Sequence, residues 1–290
     1  MQNKFAVAIL FVVSVVCLSA ALTQNVHAAV QVDSDGWKPC PRCQNNASRA
    51  EAWEAARIDE MTDYDRRDLT GVWGFNGVGG AFRNNAPPFT AYGQELHEET
   101  LGVMPANGRL LYGQGSEKDY SLLNCNPLGN PRLYNYNYGF EFVMLPDRVL
   151  QFWELDHTWR TIWTDGRRLP EFAPVPNWLG WSIGYWEEDT FVIESTGFDE
   201  RSWIERTPAI DGMPGGGYPH SEEMRVVERY TRDTYGTLEA DLTIFDPRVY
   251  TEPWVTPTAS IVLVPGAELW EHFCVPTESD AFNEDFSESD

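Results

Sequence analysis

The chain has 290 residues, with 44 acidic against 21 basic side chains and a formal charge of −23. A surplus of that size repels polyanions, so nucleic acid and anionic membrane surfaces are excluded as partners. Hydrophobic residues make up 42% of the chain, enough for a sizeable core, and the 12 tryptophans give it an unusual supply of large flat side chains.

Residues 1–28 read as a signal peptide. Lys4 gives a positive start, Phe5 to Leu18 is apolar except for Ser14, and Val26-His27-Ala28 offers small residues for cleavage. The apolar core is too short to span a bilayer, and Cys17 lacks the small preceding residue that lipid attachment prefers. A periplasmic or secreted protein without a lipid anchor is therefore expected. No later apolar run approaches about 18 residues, so no membrane insertion is expected either. The roughly 260 residues that remain suit one large domain.

Cys40, Cys43, Cys125 and Cys274 follow the signal. Export implies oxidising conditions, so disulfides are the default, with Cys40–Cys43 and Cys125–Cys274 as the expected pairing. A second Cys-x-x-Cys is missing from the sequence, and Gln44 stands where haem attachment needs histidine. No metal and no cofactor are expected.

Residues 29–67 read as a leader containing one helix, Ser48 to Tyr64, capped by Ser48 with Glu51 three residues on. From Asp68 the helical period gives way to short strands and turns. Phe140 to Leu145 and Val149 to Leu155 flank Pro146-Asp147; Ser182 to Trp186 and Phe191 to Ser195 flank Glu187-Glu188-Asp189. Met224 to Arg232 and Thr237 to Phe245 flank Asp233-Thr234-Tyr235-Gly236, and Ile261 to Val264 and Leu269 to Cys274 surround Pro265-Gly266. Sequential hairpins over residues 68–276 predict an all-β fold, an antiparallel up-and-down, lipocalin-like β-barrel that leaves no open edge. A two-sheet β-sandwich is the alternative. Residues 277–290 read as an acidic, disordered tail.

The densest chemistry lies in Glu154 to Phe198, which holds Trp159, Trp163, Trp178, Trp181 and Trp186, with Trp153 just ahead. Strand alternation over His157 to Thr164 puts His157, Trp159, Thr161, Trp163 and Asp165 on one face and Arg160 on the other. Inside a barrel, the first face is an aromatic pocket wall with a polar handle. Outside, it is a surface aromatic patch able to stack on sugars. The glycine run Gly212 to Gly217 leads into Tyr218-Pro219-His220-Ser221-Glu222, a candidate lid over acid/base groups. Glu228 shares its face with Met224, Val226 and Tyr230, which predicts a buried carboxylate with either a raised pKa or an arginine partner. Motifs for a serine-hydrolase elbow, a zinc protease helix and a phosphate loop are missing from the sequence.

Six phrases carry a resemblance: Asp68-Leu-Thr-Gly-Val-Trp73; Cys125-Asn-Pro-Leu-Gly-Asn-Pro-Arg132; Arg160-Thr-Ile-Trp-Thr-Asp-Gly-Arg167; Gly180-Trp-Ser-Ile-Gly-Tyr-Trp-Glu-Glu-Asp-Thr-Phe-Val-Ile-Glu194; His220-Ser-Glu-Glu-Met-Arg-Val-Val-Glu-Arg-Tyr230; and Asp246-Pro-Arg-Val-Tyr-Thr-Glu-Pro-Trp254. Together they resemble a widespread family of uncharacterised exported bacterial proteins. The resemblance implies a shared domain of lipocalin-like barrel character. Trp181 stands where the family phrase has histidine, and Glu188 where it has glycine.

Three functions follow as expectations. The first is cofactor-independent proton transfer on a small apolar or aromatic molecule, as a lyase, isomerase or hydratase. His157 and His220 are its acid/base candidates, oriented by Asp165 or Glu222, with Trp159, Trp163, Trp181, Arg160 and Tyr218 binding substrate. The second is a non-catalytic small-molecule carrier using the same pocket. The third is carbohydrate binding through exposed tryptophans.

Overall fold

The computed structural model describes residues 61–75, 86–102, 118–119, 121, 125–136, 138–171, 173, 175–207, 215–264, 267–269 and 271–275. Twelve strands are formed among the described residues: β1 (Gly71–Phe75), β2 (Phe140–Met144), β3 (Arg148–Trp153), β4 (Trp159–Trp163), β5 (Trp181–Glu187), β6 (Thr190–Thr196), β7 (Glu205–Thr207), β8 (Gly216–Tyr218), β9 (Arg225–Thr234), β10 (Thr237–Phe245), β11 (Trp254–Val255) and β12 (Ala259–Leu263). One α-helix of several turns, α1 (Ala91–Thr100), stands among the described residues.

Nine strands close a barrel in the order β1-β2-β3-β4-β5-β6-β9-β10-β12, with β12 returning to β1. Closure pairs most of the strand edges and removes much of the template an open sheet presents to another chain. The barrel expectation holds, with one difference. Neighbouring strands are antiparallel throughout except β4 and β5, which run parallel. Parallel neighbours need a crossover, and residues 164–180 supply it. The β7–β8 hairpin is a separate pair, and β11 extends β10 beyond its partnership with β12.

Period-two alternation fills the lumen. Along β9 the inward set is Val226, Glu228, Tyr230 and Arg232; along β10 it is Leu238, Ala240, Leu242 and Ile244. Trp73, Phe140, Phe142, Trp153, Ile162, Phe191 and Ile193 complete the apolar wall. Fully burying such a side chain contributes on the order of 1.5–3 kcal/mol each, which makes this lumen the main stabilising mass.

Thr90 caps α1 by accepting from the Gly93 backbone at 3.0 Å. The helix docks so closely that a Cβ on Gly93 would lie 2.1 Å from the Val249 carbonyl oxygen. The expected helix over Ser48 to Tyr64 lies outside the described residues but for Met61–Tyr64, which are not helical. The signal peptide, Cys40–Cys43 and the acidic tail also lie outside them. Cys125 and Cys274 are disulfide-bonded, as expected. The segment around Cys274 was expected to be a strand, yet residues 271–275 form none.

Candidate functional site

The register of β4 against β5 opens a groove in the barrel wall. Only Ile162 and Trp163 find partners, Ser182 and Ile183. Had the ladder continued, Thr161, Arg160 and Trp159 would face Trp181, Gly180 and Leu179. Instead the incoming chain turns through Asn177–Leu179, tied to Phe198 by an isolated bridge, and the two strands part. The gap has a volume of about 590 Å³ and is lined by Trp159, Trp163, Trp178, Trp181, His157 and Asn177 among others. Trp159 is 56% and Trp181 37% exposed, so the groove opens on the outer surface of the barrel. The aromatic face expected from alternation is thus outside the lumen.

Each indole is held differently. Trp159 lies over Phe152, with ring centroids 6.2 Å apart. Trp181 donates its Nε1–H to the Val175 carbonyl at 2.9 Å. Trp163 has the Arg167 and Arg148 guanidinium carbons 3.5 and 4.4 Å from its ring centroid. Arg201 covers Trp178 at 4.8 Å.

Arg160 and Ser182 line the groove and also belong to a polar network in the lumen. Arg160 grips Glu228 through two bonds of 2.7 Å each and donates to Gln151 Oε1 at 2.7 and 2.9 Å. Tyr134 donates to Glu228 at 2.7 Å and accepts from Tyr230 at 2.7 Å, while Asn130 donates to Glu228 at 3.1 Å. Ser182 and Ser195 share a bond of 2.7 Å. Burial pushes the Glu228 carboxyl up, but the Arg160 charge and these donors outweigh it and hold the group below its usual range. Of the two expectations for Glu228, the arginine partner is the one observed. Burial raises the phenols of Tyr134 and Tyr230. Alternation along β9 and β4 pointed to Glu228 and to Arg160 facing away from Trp159. Tyr134, Asn130 and Gln151 come from separate elements, and nothing local marked them.

The remaining candidates are dispersed. His157 sits in a tight turn rather than on β4, since Asp156 and His157 both have positive φ. Its ring stacks on Phe273, centroids 4.5 Å apart. Asp165 is bound to Arg167 at the surface, which lowers its pKa. Glu222 is exposed beside Arg248 at 3.2 Å. Tyr218 stacks with Phe89 and His97 and meets Trp254 edge-on, among residues that do not line the groove.

His220 is buried: its Nε2 lies 2.9 Å from Ser202 Oγ and its Nδ1 3.1 Å from the Ser221 carbonyl. Burial pushes the imidazole down, against the raising influence of Asp246, Glu200 and Asp199. The glycine run beside it is the candidate lid, and its residues 212–214 lie outside the described residues. Its described part is strand β8, where a Cβ on Gly217 would lie 2.0 Å from the Trp203 indole. At Gly217 glycine is needed for close packing.

A smaller cavity of about 170 Å³ shares His157 and Thr158 with the groove and is also lined by Glu141. Burial raises the Glu141 carboxyl. Among the described residues, no group of three or more His, Cys, Asp or Glu side chains is placed to hold a metal. No protein-family model, curated protein or solved structure matches the chain.

Proposed function

We propose that this barrel is an exported small-molecule-binding protein whose site is the tryptophan groove between β4 and β5. One observation carries the reading: four indoles converge on one open groove of about 590 Å³. Aromatic walls with a few neutral polar groups are the usual composition of ligand sites. Export is supported by the signal-like residues 1–28 and by the Cys125–Cys274 disulfide. A carrier returns its ligand unchanged. Tryptophan fluorescence should shift on titration, the shift should be lost in Trp159→Ala, and the ligand should be recovered chemically intact. A ligand bound equally by the wild type and Trp159→Ala would place binding elsewhere.

A second reading, proton-transfer catalysis, is favoured by the cavity shared by His157 and Glu141. An acid/base pair there would join His157 to Glu141 rather than to the buried His220. Its check is turnover of a groove ligand: Glu141→Gln should abolish it while leaving the fluorescence shift in place. Full activity in Glu141→Gln removes this reading.

A further inference from the structure

We infer that the groove takes a neutral sugar chain, stacked by its C–H faces on Trp159 and Trp181. This rests on the groove being the binding site, and it adds the chemical class of the occupant. The argument begins with the free ring faces. Trp163 is occupied by two guanidinium groups and Trp178 by one. Trp159 and Trp181 are left as the exposed platforms, on opposite banks of the gap between β4 and β5. A pyranose ring offers an apolar patch of C–H groups to such a surface and hydroxyls around its rim. Exposed aromatic area of this kind marks a ligand groove rather than ordinary surface.

Charge decides between sugar classes. The arginines placed at the groove are already engaged: Arg160 with Glu228, Arg148 with Asp147, Arg167 with Asp165 and Arg201 with Asp199. An anionic chain would meet no uncommitted cation among these groups, and it would approach a protein of charge −23. Unengaged hydrogen-bonding groups remain. The Thr161 hydroxyl, the Asn177 amide nitrogen and the His157 ring nitrogens make no hydrogen bond among the described residues. Hydroxyl groups suit them, being donor and acceptor at once. The site is also a gap opened at the surface, not a closed lumen, so a chain can lie across it with both ends in solvent. A planar aromatic would stack on the same rings but would leave those polar groups unused.

The experiment titrates the full chain with hexasaccharides of β-1,4-linked glucose, xylose and mannose, with a galacturonic acid hexamer, and with naphthalene. Fluorescence and calorimetry provide the readouts. At least one neutral hexamer should bind, and Trp159→Ala and Trp181→Ala should each weaken it by about tenfold or more. Trp159→Phe should restore most of the loss, because stacking needs a ring and not an indole. Circular dichroism confirms that the variants fold. Naphthalene binding without any neutral hexamer, or tighter binding of the uronate, overturns the sugar inference and leaves the groove as a binding site. Binding of none of the probes, or binding indifferent to both substitutions, overturns both.

Discussion

A buried carboxylate in a barrel lumen survives only if its charge is answered. Glu228 accepts from Arg160, Tyr134 and Asn130, so its lone pairs are used and its charge is paired. Removing one partner strands the other in a medium where an unpaired ion is costly. Arg160→Met should therefore destabilise the protein by about 3–5 kcal/mol in urea unfolding, while Arg160→Met with Glu228→Leu should recover much of it. A loss under about 1 kcal/mol in the single variant would mean that water already reaches the pair. His220 adds a pH dependence. Its folded pKa lies below the usual 6.5, so the unfolded chain binds its proton first as pH falls. Its contribution is fully present above the unfolded value and is lost as pH drops through that window. Melting temperature should thus decline as pH falls below the ordinary histidine value of about 6.5, and His220→Gln should flatten the decline. An unchanged slope in the variant would assign it to the acidic side chains instead.

Strand β4 is where two elements meet the ends of the groove. Its start is held by the Leu155–His157 turn, against which Phe273 stacks and His272 approaches Asp156 at 3.5 Å. The disulfide fixes this terminal segment to Cys125, two residues before Pro127, which also lines the groove. Cys274→Ser should cost about 2–5 kcal/mol of stability, since the bridge closes a very long loop in the unfolded chain. It should also weaken groove ligands, because His157 loses the ring packed on it. Equal affinity with reduced stability would confine the bridge to folding. At this scale the sequence was partly legible. The hairpins of β2–β3, β5–β6 and β9–β10 follow from alternation and turn residues. The left-handed Asp156 and His157 do not, because a φ above zero in such residues is selected by tertiary packing. Helix α1 escaped notice as well: Thr90 is a fair cap, but Gly93 interrupts its body, and docking on Val249 supplies what propensity withholds.

For the whole molecule, closure was legible and the side of the barrel bearing the site was not. Alternation separates Trp159 from Arg160 with certainty, yet it does not say which face is the lumen. The buried arginine is counter-intuitive until Glu228 arrives from β9 and Tyr134 from the 3-10 turn Arg132–Asn135. The charge, by contrast, is a global property visible at once. With 44 acids against 21 bases, most surface acids have no cation to meet, and their mutual repulsion opposes the compact barrel. Raising ionic strength from about 0.01 to about 0.1 M shortens the screening length from about 30 to about 10 Å and weakens that repulsion. Surface pairs such as Arg225–Glu194 and Arg229–Glu187 weaken too, but exposed pairs contribute only about 0–1 kcal/mol each. The long-range term should win, so the urea midpoint should rise over this salt range. The buried Arg160–Glu228 pair, shielded from ions, should contribute equally at both salts in a double-mutant cycle. A midpoint that falls with added salt would show that the exposed pairs, and not the net charge, set the electrostatic balance of this barrel.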